Sequence, residues 1–91
     1  MKKSEARILV FIYNAEKRFK FAREISQRLN IDYGYLIRLL GSLKMNNLLT
    51  SFRRENRVYY ELVVGKEKNT IKEALERLNQ DKPRNSNRVV K

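Results

Sequence analysis

Four arginines in two groups are the residues of this chain best suited to chemistry. Arg53, Arg54 and Arg57 fall within the five residues Arg53-Arg54-Glu55-Asn56-Arg57, and Arg38 stands alone between Gly34 and Gly41. A guanidinium is permanently charged and presents a planar fork of donors that matches phosphate oxygens and the O6/N7 edge of guanine. Three such groups within five residues make an anion-binding tip. One such group flanked by two residues without side chains makes a single probe on a surface that another molecule can approach closely. The remaining inventory excludes other chemistry. The sequence has no cysteine and no histidine, which removes thiol nucleophiles, disulfides, the usual zinc ligands and the commonest general base. Its carboxylates are scattered, mostly beside a Lys or Arg, and no Gly-rich phosphate loop or catalytic serine context appears. The expectation is a protein that is not an enzyme and needs no cofactor and no metal.

The charge balance points the same way as the arginines. There are 21 Lys and Arg against 10 Asp and Glu, a net charge of +11 in 91 residues. Such a field attracts polyanions. The length fits one domain with a small core, to which a second copy can add burial. The longest apolar run, Ile8 to Tyr13, is far short of the ~20 residues that a membrane span needs. Met1-Lys2-Lys3 lacks the apolar core of a signal peptide. The expected location is therefore the cytoplasm, in association with the nucleoid, with no membrane partner.

Arg38 belongs to a helix of about residues 32–45. Leu36, Leu39, Leu40 and Leu43 fall at i, i+3, i+4 and i+7 and share one face. Gly34, Arg38, Gly41 and Met45 occupy the opposite face, flanked by Ile37 and Ser42. Asp32 is placed to cap it. The hydroxyls of Tyr33, Tyr35 and Ser42 lie at the margins, and Tyr35 is equally suited to packing on the first helix. Lys44 adds a charge near the end.

The flanking segments supply the setting. Ala22 to Asn30 reads as a helix whose inner face is Ala22, Ile25, Ser26 and Leu29. Asn30-Ile31-Asp32 is a tight turn, with Asn30 suited to a left-handed conformation. Upstream, Ser4 caps a helix from about Glu5 to Asn14 that is apolar nearly all round. It needs two partners, one the core and the other either more of this domain or a second subunit. Glu16 to Lys20 is a connector with a short extended piece. Downstream of the Asn46-Asn47 stop, Leu48–Phe52 and Val58–Val64 have strand composition, with Leu48, Tyr60 and Leu62 facing inward and the arginine-rich segment as the hairpin tip. Thr70-Ile71-Lys72-Glu73 has the form of a capping box opening a last helix of about residues 70–80, whose stripe is Ile71, Ala74, Leu75 and Leu78. Residues 81–91 are basic and aperiodic, so a disordered tail is expected after a domain of residues 1–80.

The result is a mainly α chain with a small β-hairpin, an α+β class in the order α-α-α-β-β-α, with a short extended piece before the second helix. Residues Ala22 to Gly41 resemble the helix-turn-helix pattern in detail: Ile25, Leu29 and Ile31 at its apolar positions, Ser26 at its small position, and Leu36 and Leu39 at the buried positions of the second helix. Leu29 through Leu49, with Asn47 where a glycine is usual, resembles MarR-type winged-helix transcription regulators. Arg54, Arg57 and Tyr60-Glu61-Leu62 are similar to that family's basic wing and returning strand. The resemblance covers residues 4–64, and small archaeal, viral and plasmid regulators are similar in build. Phe21 departs from the pattern, standing where a Ser or Thr cap is usual. The chain is also shorter than typical members.

The resemblance implies a regulator of transcription that binds double-stranded DNA. The helix of residues 32–45 would enter the major groove with Tyr33, Gly34, Tyr35, Ile37, Arg38, Gly41, Ser42 and Lys44. Arg53, Arg54, Asn56 and Arg57 of the wing would lie on the backbone or in the minor groove. A homodimer through the first and last helices would set two such helices about 34 Å apart. Two other readings fit the residues: a nucleoid or replication-associated protein of low sequence preference, and a winged-helix module that docks on RNA or protein.

Overall fold

The computed structural model describes residues 1–80; the expected tail, 81–91, lies outside the described residues. Four helices and one hairpin follow in the order α1 (Lys3–Asn14), α2 (Ala22–Leu29), α3 (Tyr33–Met45), β1 (Leu49–Arg54), β2 (Arg57–Leu62) and α4 (Glu67–Gln80). A 3-10 turn, Lys17–Phe19, fills the connector between α1 and α2.

The helix-turn-helix is built by local hydrogen bonds that the sequence prescribes. Asn30 takes φ 56° and ψ 49°, which ends α2 in a left-handed residue. The Ile31 N–H then donates to the Ser26 carbonyl at 3.0 Å, and the Ser26 hydroxyl donates to the Ile31 carbonyl at 2.6 Å. Position 26 thus needs a residue that is both small and a donor. The Tyr35 N–H donates to the Asp32 carboxylate at 3.0 Å, so Asp32 caps α3 as expected. The four leucines of the α3 stripe are buried, together with Ile25 and Ile31.

The first helix, α1, lies at the centre. Ala6, Ile8, Leu9 and Ile12 are fully buried, and Val10 and Phe11 pack partly buried against the same cluster. On one side α4 covers α1 with Ile71 and Ala74; α2, α3 and β2 meet its other sides. Its nearly all-round apolar character is therefore largely answered within the chain. Tyr13 alone of the apolar run is more exposed than buried.

Several expected boundaries shift, each for a local reason. Ser4 does not cap α1; the helix begins at Lys3, and Glu5 accepts from the Lys2 N–H at 2.9 Å. Thr70 does not cap α4 either. Gly65 turns the chain with φ 91°, its N–H donating to the Glu67 carboxylate at 2.9 Å, and the helix starts at Glu67. Thr70 lies a turn inside, buried. In the hairpin the inward residue of β1 is Leu49, 3% exposed, with Leu48 preceding the strand. Val63 and Val64 fall beyond the end of β2.

The two strands pair antiparallel with Leu49 opposite Leu62, Phe52 opposite Tyr59 and Arg54 opposite Arg57. The tip is tighter than five residues. Glu55 and Asn56, with φ of 50° and 66°, form a two-residue loop of the type I′ kind. Asparagine tolerates this region far better than glutamate does. Glu55→Asn is expected to stabilise the fold by about 0.5–1 kcal/mol and raise the melting temperature by several degrees, read by circular dichroism. The extended piece before α2 is realised as a single bridge, Phe21 with Tyr59, and the Tyr60 N–H donates to the Lys20 carbonyl at 2.9 Å. This accounts for the missing Ser or Thr cap: Phe21 is committed to the sheet edge.

Candidate nucleic-acid interface

The exposed face of α3 is low in bulk and faces open space. Gly34, Tyr35, Ile37, Arg38, Gly41, Ser42 and Lys44 are all exposed. A Cβ built on Gly41 would meet nothing within 4 Å, and one on Gly34 would touch only Asp32 Oδ2, at 3.4 Å. Neither glycine answers a packing demand of the domain itself. Arg38 makes no hydrogen bond, ion pair or ring contact among the described residues. Lys44 is less independent, since its Nζ donates to the Ser51 hydroxyl of β1 at 2.8 Å and ties the end of α3 to the hairpin. Tyr35 is 41% exposed.

The hairpin stands beside this face. A cavity of about 320 Å³ between α3 and the hairpin is lined by Arg23, Tyr33, Ile37, Asn56, Arg57 and Tyr60 among others. The structure thus brings Tyr33 and Ile37 of α3 together with Asn56 and Arg57 of the wing. Arg53 and Arg54 are exposed at the end of β1 and, like Arg38, carry no partner among the described residues.

Arg57 is held rather than free, its guanidinium carbon lying 4.0 Å from the centre of the Phe21 ring. Such a cation–π contact costs the charge little of its reach toward an anion while fixing its position. Burial, and then the nearby Tyr33, push the Tyr60 hydroxyl above its ordinary value, so it remains a neutral donor at physiological pH.

Two residues of this region escaped sequence reasoning. Arg23, on the first turn of α2, lines the cavity and stands over the Tyr33 ring at 5.8 Å. The apolar pattern of α2 leaves it off the inner face and says no more. The available signal was the helix-turn-helix itself, which brings the start of α2 near the start of α3. Phe21 was noticed only as a poor cap; that it would hold Arg57, 36 residues away by number (57 − 21), had no local signature.

A helix-turn-helix followed by a basic two-stranded wing and a closing helix defines a winged helix fold. No family model matches the sequence, and no curated protein does. Among solved structures the chain is similar to a glycine-to-lysine mutant of MepR from S. aureus, a MarR-family winged-helix regulator. The TM-score is 0.74 at 12% identity, covering 88% of this chain and 60% of that one. This chain therefore spans well under two thirds of the length of that relative. No described helix is long and apolar enough to cross a membrane, and no group of His, Cys, Asp or Glu among the described residues is placed to hold a metal ion.

Proposed function

We propose that the protein is a double-stranded DNA-binding transcription regulator. In this reading α3 enters the major groove with Tyr33, Gly34, Tyr35, Ile37, Arg38, Gly41, Ser42 and Lys44. The wing lies along the backbone or in the minor groove with Arg53, Arg54, Asn56 and Arg57. The observation that carries it is the exposed, uncrowded face of α3, with one unpartnered arginine, set beside a basic wing. A major groove about 12 Å wide admits an α-helix, and the two glycines of α3 leave its backbone open to close approach. Arg38 is the candidate for a bidentate contact to guanine, and the hydroxyls and Lys44 hold phosphates. Arg23 joins the phosphate-contacting set. The fold shared with MepR fits a regulatory role.

The test is selection of bound duplexes from a random pool, followed by titration of the selected site against random duplex, single strands and RNA. A discrete site with a large specificity ratio is expected. Equal affinity for all duplexes would instead favour a low-preference nucleoid or replication-associated protein. One observation supports that second reading: Arg38 is the only charged side chain of α3 without a partner among the described residues. Preference for RNA, or no affinity for DNA, would overturn both.

We further infer a homodimer through α1 and α4. The support is a groove of about 490 Å³ whose lining includes Val10, Phe11, Leu29 and Leu78 beside Arg7 and Arg28, and Leu75, three residues before Leu78 on α4, which is 46% exposed. Ile71, on the same stripe of α4, is 8% exposed and belongs to the domain's own core. Leu75→Arg is expected to shift sedimentation toward monomer by tenfold or more in Kd, about 1.4 kcal/mol, with an unchanged melting transition at low concentration. A wild-type protein that sediments only as monomer, with and without duplex, would end this part of the reading.

A further inference from the structure

The outer face of the hairpin carries a feature that the duplex reading does not use. Leu49 and Leu62 pair with each other and point into the core, so by strand alternation Phe52–Tyr59 and Arg54–Arg57 lie on the opposite face. There the rings of Phe52 and Tyr59 stack at 5.6 Å with only 17° between their planes. Tyr59 meets Phe21 edge-on at 5.8 Å, and Phe21 carries Arg57 at 4.0 Å. The three rings make a row across the hairpin and the bridged segment before α2. Phe52, at its outer end, remains 39% exposed.

The rim of this row is cationic. A cavity of about 350 Å³ over Phe52 and Tyr59 is walled by Lys17, Arg18, Arg54 and Glu55. Arg18 is partly neutralised by Glu16 at 2.9 Å and lies over Phe19. Lys17 and Arg54 have no anionic partner among the described residues. An exposed ring beside three cations and one carboxylate is poorly matched to an apolar protein side chain, which would strip water from unpaired charges. It is also poorly matched to duplex DNA, whose bases are already stacked on one another. A base with a free face, on a chain of phosphates, satisfies both halves: the base extends the Phe52–Tyr59 stack and the phosphates meet Lys17, Arg18 and Arg54.

We propose that this face of the wing is a second binding site, an aromatic platform for unpaired bases of a single-stranded nucleic acid. Phe52 supplies the stacking surface, Tyr59 and Phe21 set its plane, and the flanking cations hold the backbone. The stacking chemistry is the same for DNA and RNA.

The test is fluorescence anisotropy on the full chain with labelled oligo-dT and oligo-U of about 12 nucleotides, beside a mixed-sequence duplex. Wild type binds at least one of the two single strands, and the preferred sugar identifies which strand chemistry the site takes. Phe52→Ala weakens single-strand binding about tenfold while duplex affinity moves by less than about twofold. Phe52→Tyr retains binding. Arg38→Ala gives the opposite pattern, losing duplex and keeping single strand, so failure of the duplex reading leaves this result standing and the reverse also holds. On adding the oligonucleotide, ring-proton resonances of Phe52 and Tyr59 shift upfield, as stacking demands and a purely structural role does not. A thermal melt checks each variant, and Phe52→Leu, which keeps apolar bulk without a π-face, replaces Phe52→Ala should the latter unfold. No binding of either single strand by wild type overturns the proposal. So does an equal loss for single strand and duplex in a folded Phe52 variant.

Discussion

Gly41→Glu is expected to cut duplex affinity by about a hundredfold or more while leaving the melting temperature unchanged or higher. The two halves of this result come from different physics. For the isolated domain, glycine in the third turn of a helix is a poor choice, costing about 1 kcal/mol relative to alanine through backbone entropy. Nothing lies within 4 Å of the Cβ that a substitution would add, so any good helix former at this position should stabilise. A carboxylate there also stands three residues after Arg38, where it can pair with the guanidinium on the helix surface. The fold has every local reason to accept the change.

The complex has every reason to reject it. The added side chain occupies the slim side of α3, where close approach to the groove depends on having no bulk. Its charge opposes the phosphates, and pairing with Arg38 withdraws the cation best placed to reach a base edge. Gly41→Ala separates size from charge. It should melt about 4–8 °C higher than wild type, because a kilocalorie moves a domain of this size by that much, and lose duplex affinity to a smaller degree. A Gly41→Glu protein that still binds the selected duplex within about threefold of wild type would show that α3 is not the inserted element. Gly34 makes a weaker test, since its Cβ would already touch the Asp32 carboxylate that caps the helix.

What the sequence made legible divides along a physical line. The Leu36, Leu39, Leu40 and Leu43 stripe, the Asp32 cap and the left-handed Asn30 and Asn47 all depend on neighbours within a few residues, and all are found where pattern reasoning puts them. Helix starts chosen between competing caps went astray. Ser4 and Thr70 are good caps in isolation, but Glu5 accepts from the Lys2 N–H and Glu67 from the Gly65 N–H, and the helices open earlier, at Lys3 and Glu67. The hairpin's ends shifted because Glu55 and Asn56 together accept a two-residue loop that neither residue announces alone. A narrow stripe does not say whether it faces its own core or a partner: on α4, Ile71 and Ala74 are buried in the core while Leu75 is 46% exposed. Side chains whose meaning lies far along the chain were not legible. Phe21, Arg23 and Lys20 gain their roles from Arg57, Tyr33 and Glu61, and no spacing rule connects them.

Lys20 shows how much such a distant pairing contributes, and Lys20→Ala is the second large effect expected. The residue sits in a polar, basic connector and reads as solvated, yet it is only 9% exposed. Its Nζ lies 3.1 Å from Glu61 Oε1, with side-chain exposures of 11% and 25%. Its carbonyl accepts from the Tyr60 N–H, so main chain and side chain both fasten the start of α2 to β2. Truncation leaves the Glu61 carboxylate mostly buried without its cation, in a small cavity that Glu67 also lines. Removing one member of a buried pair typically costs 3–5 kcal/mol. Glu61 keeps some water, so about 2–4 kcal/mol is expected here, a fall in melting temperature of about 10–20 °C. That is a large part of the roughly 5–15 kcal/mol that holds a domain of this kind together. The double change Lys20→Met with Glu61→Leu should recover most of the loss, because the penalty is an unpaired charge rather than a missing attraction. A Lys20→Ala protein melting within about 2 °C of wild type would mean that Glu61 finds water or another cation. The segment before α2 would then be joined to β2 by its backbone bridge and the Phe21–Tyr59 ring contact, without help from the ion pair.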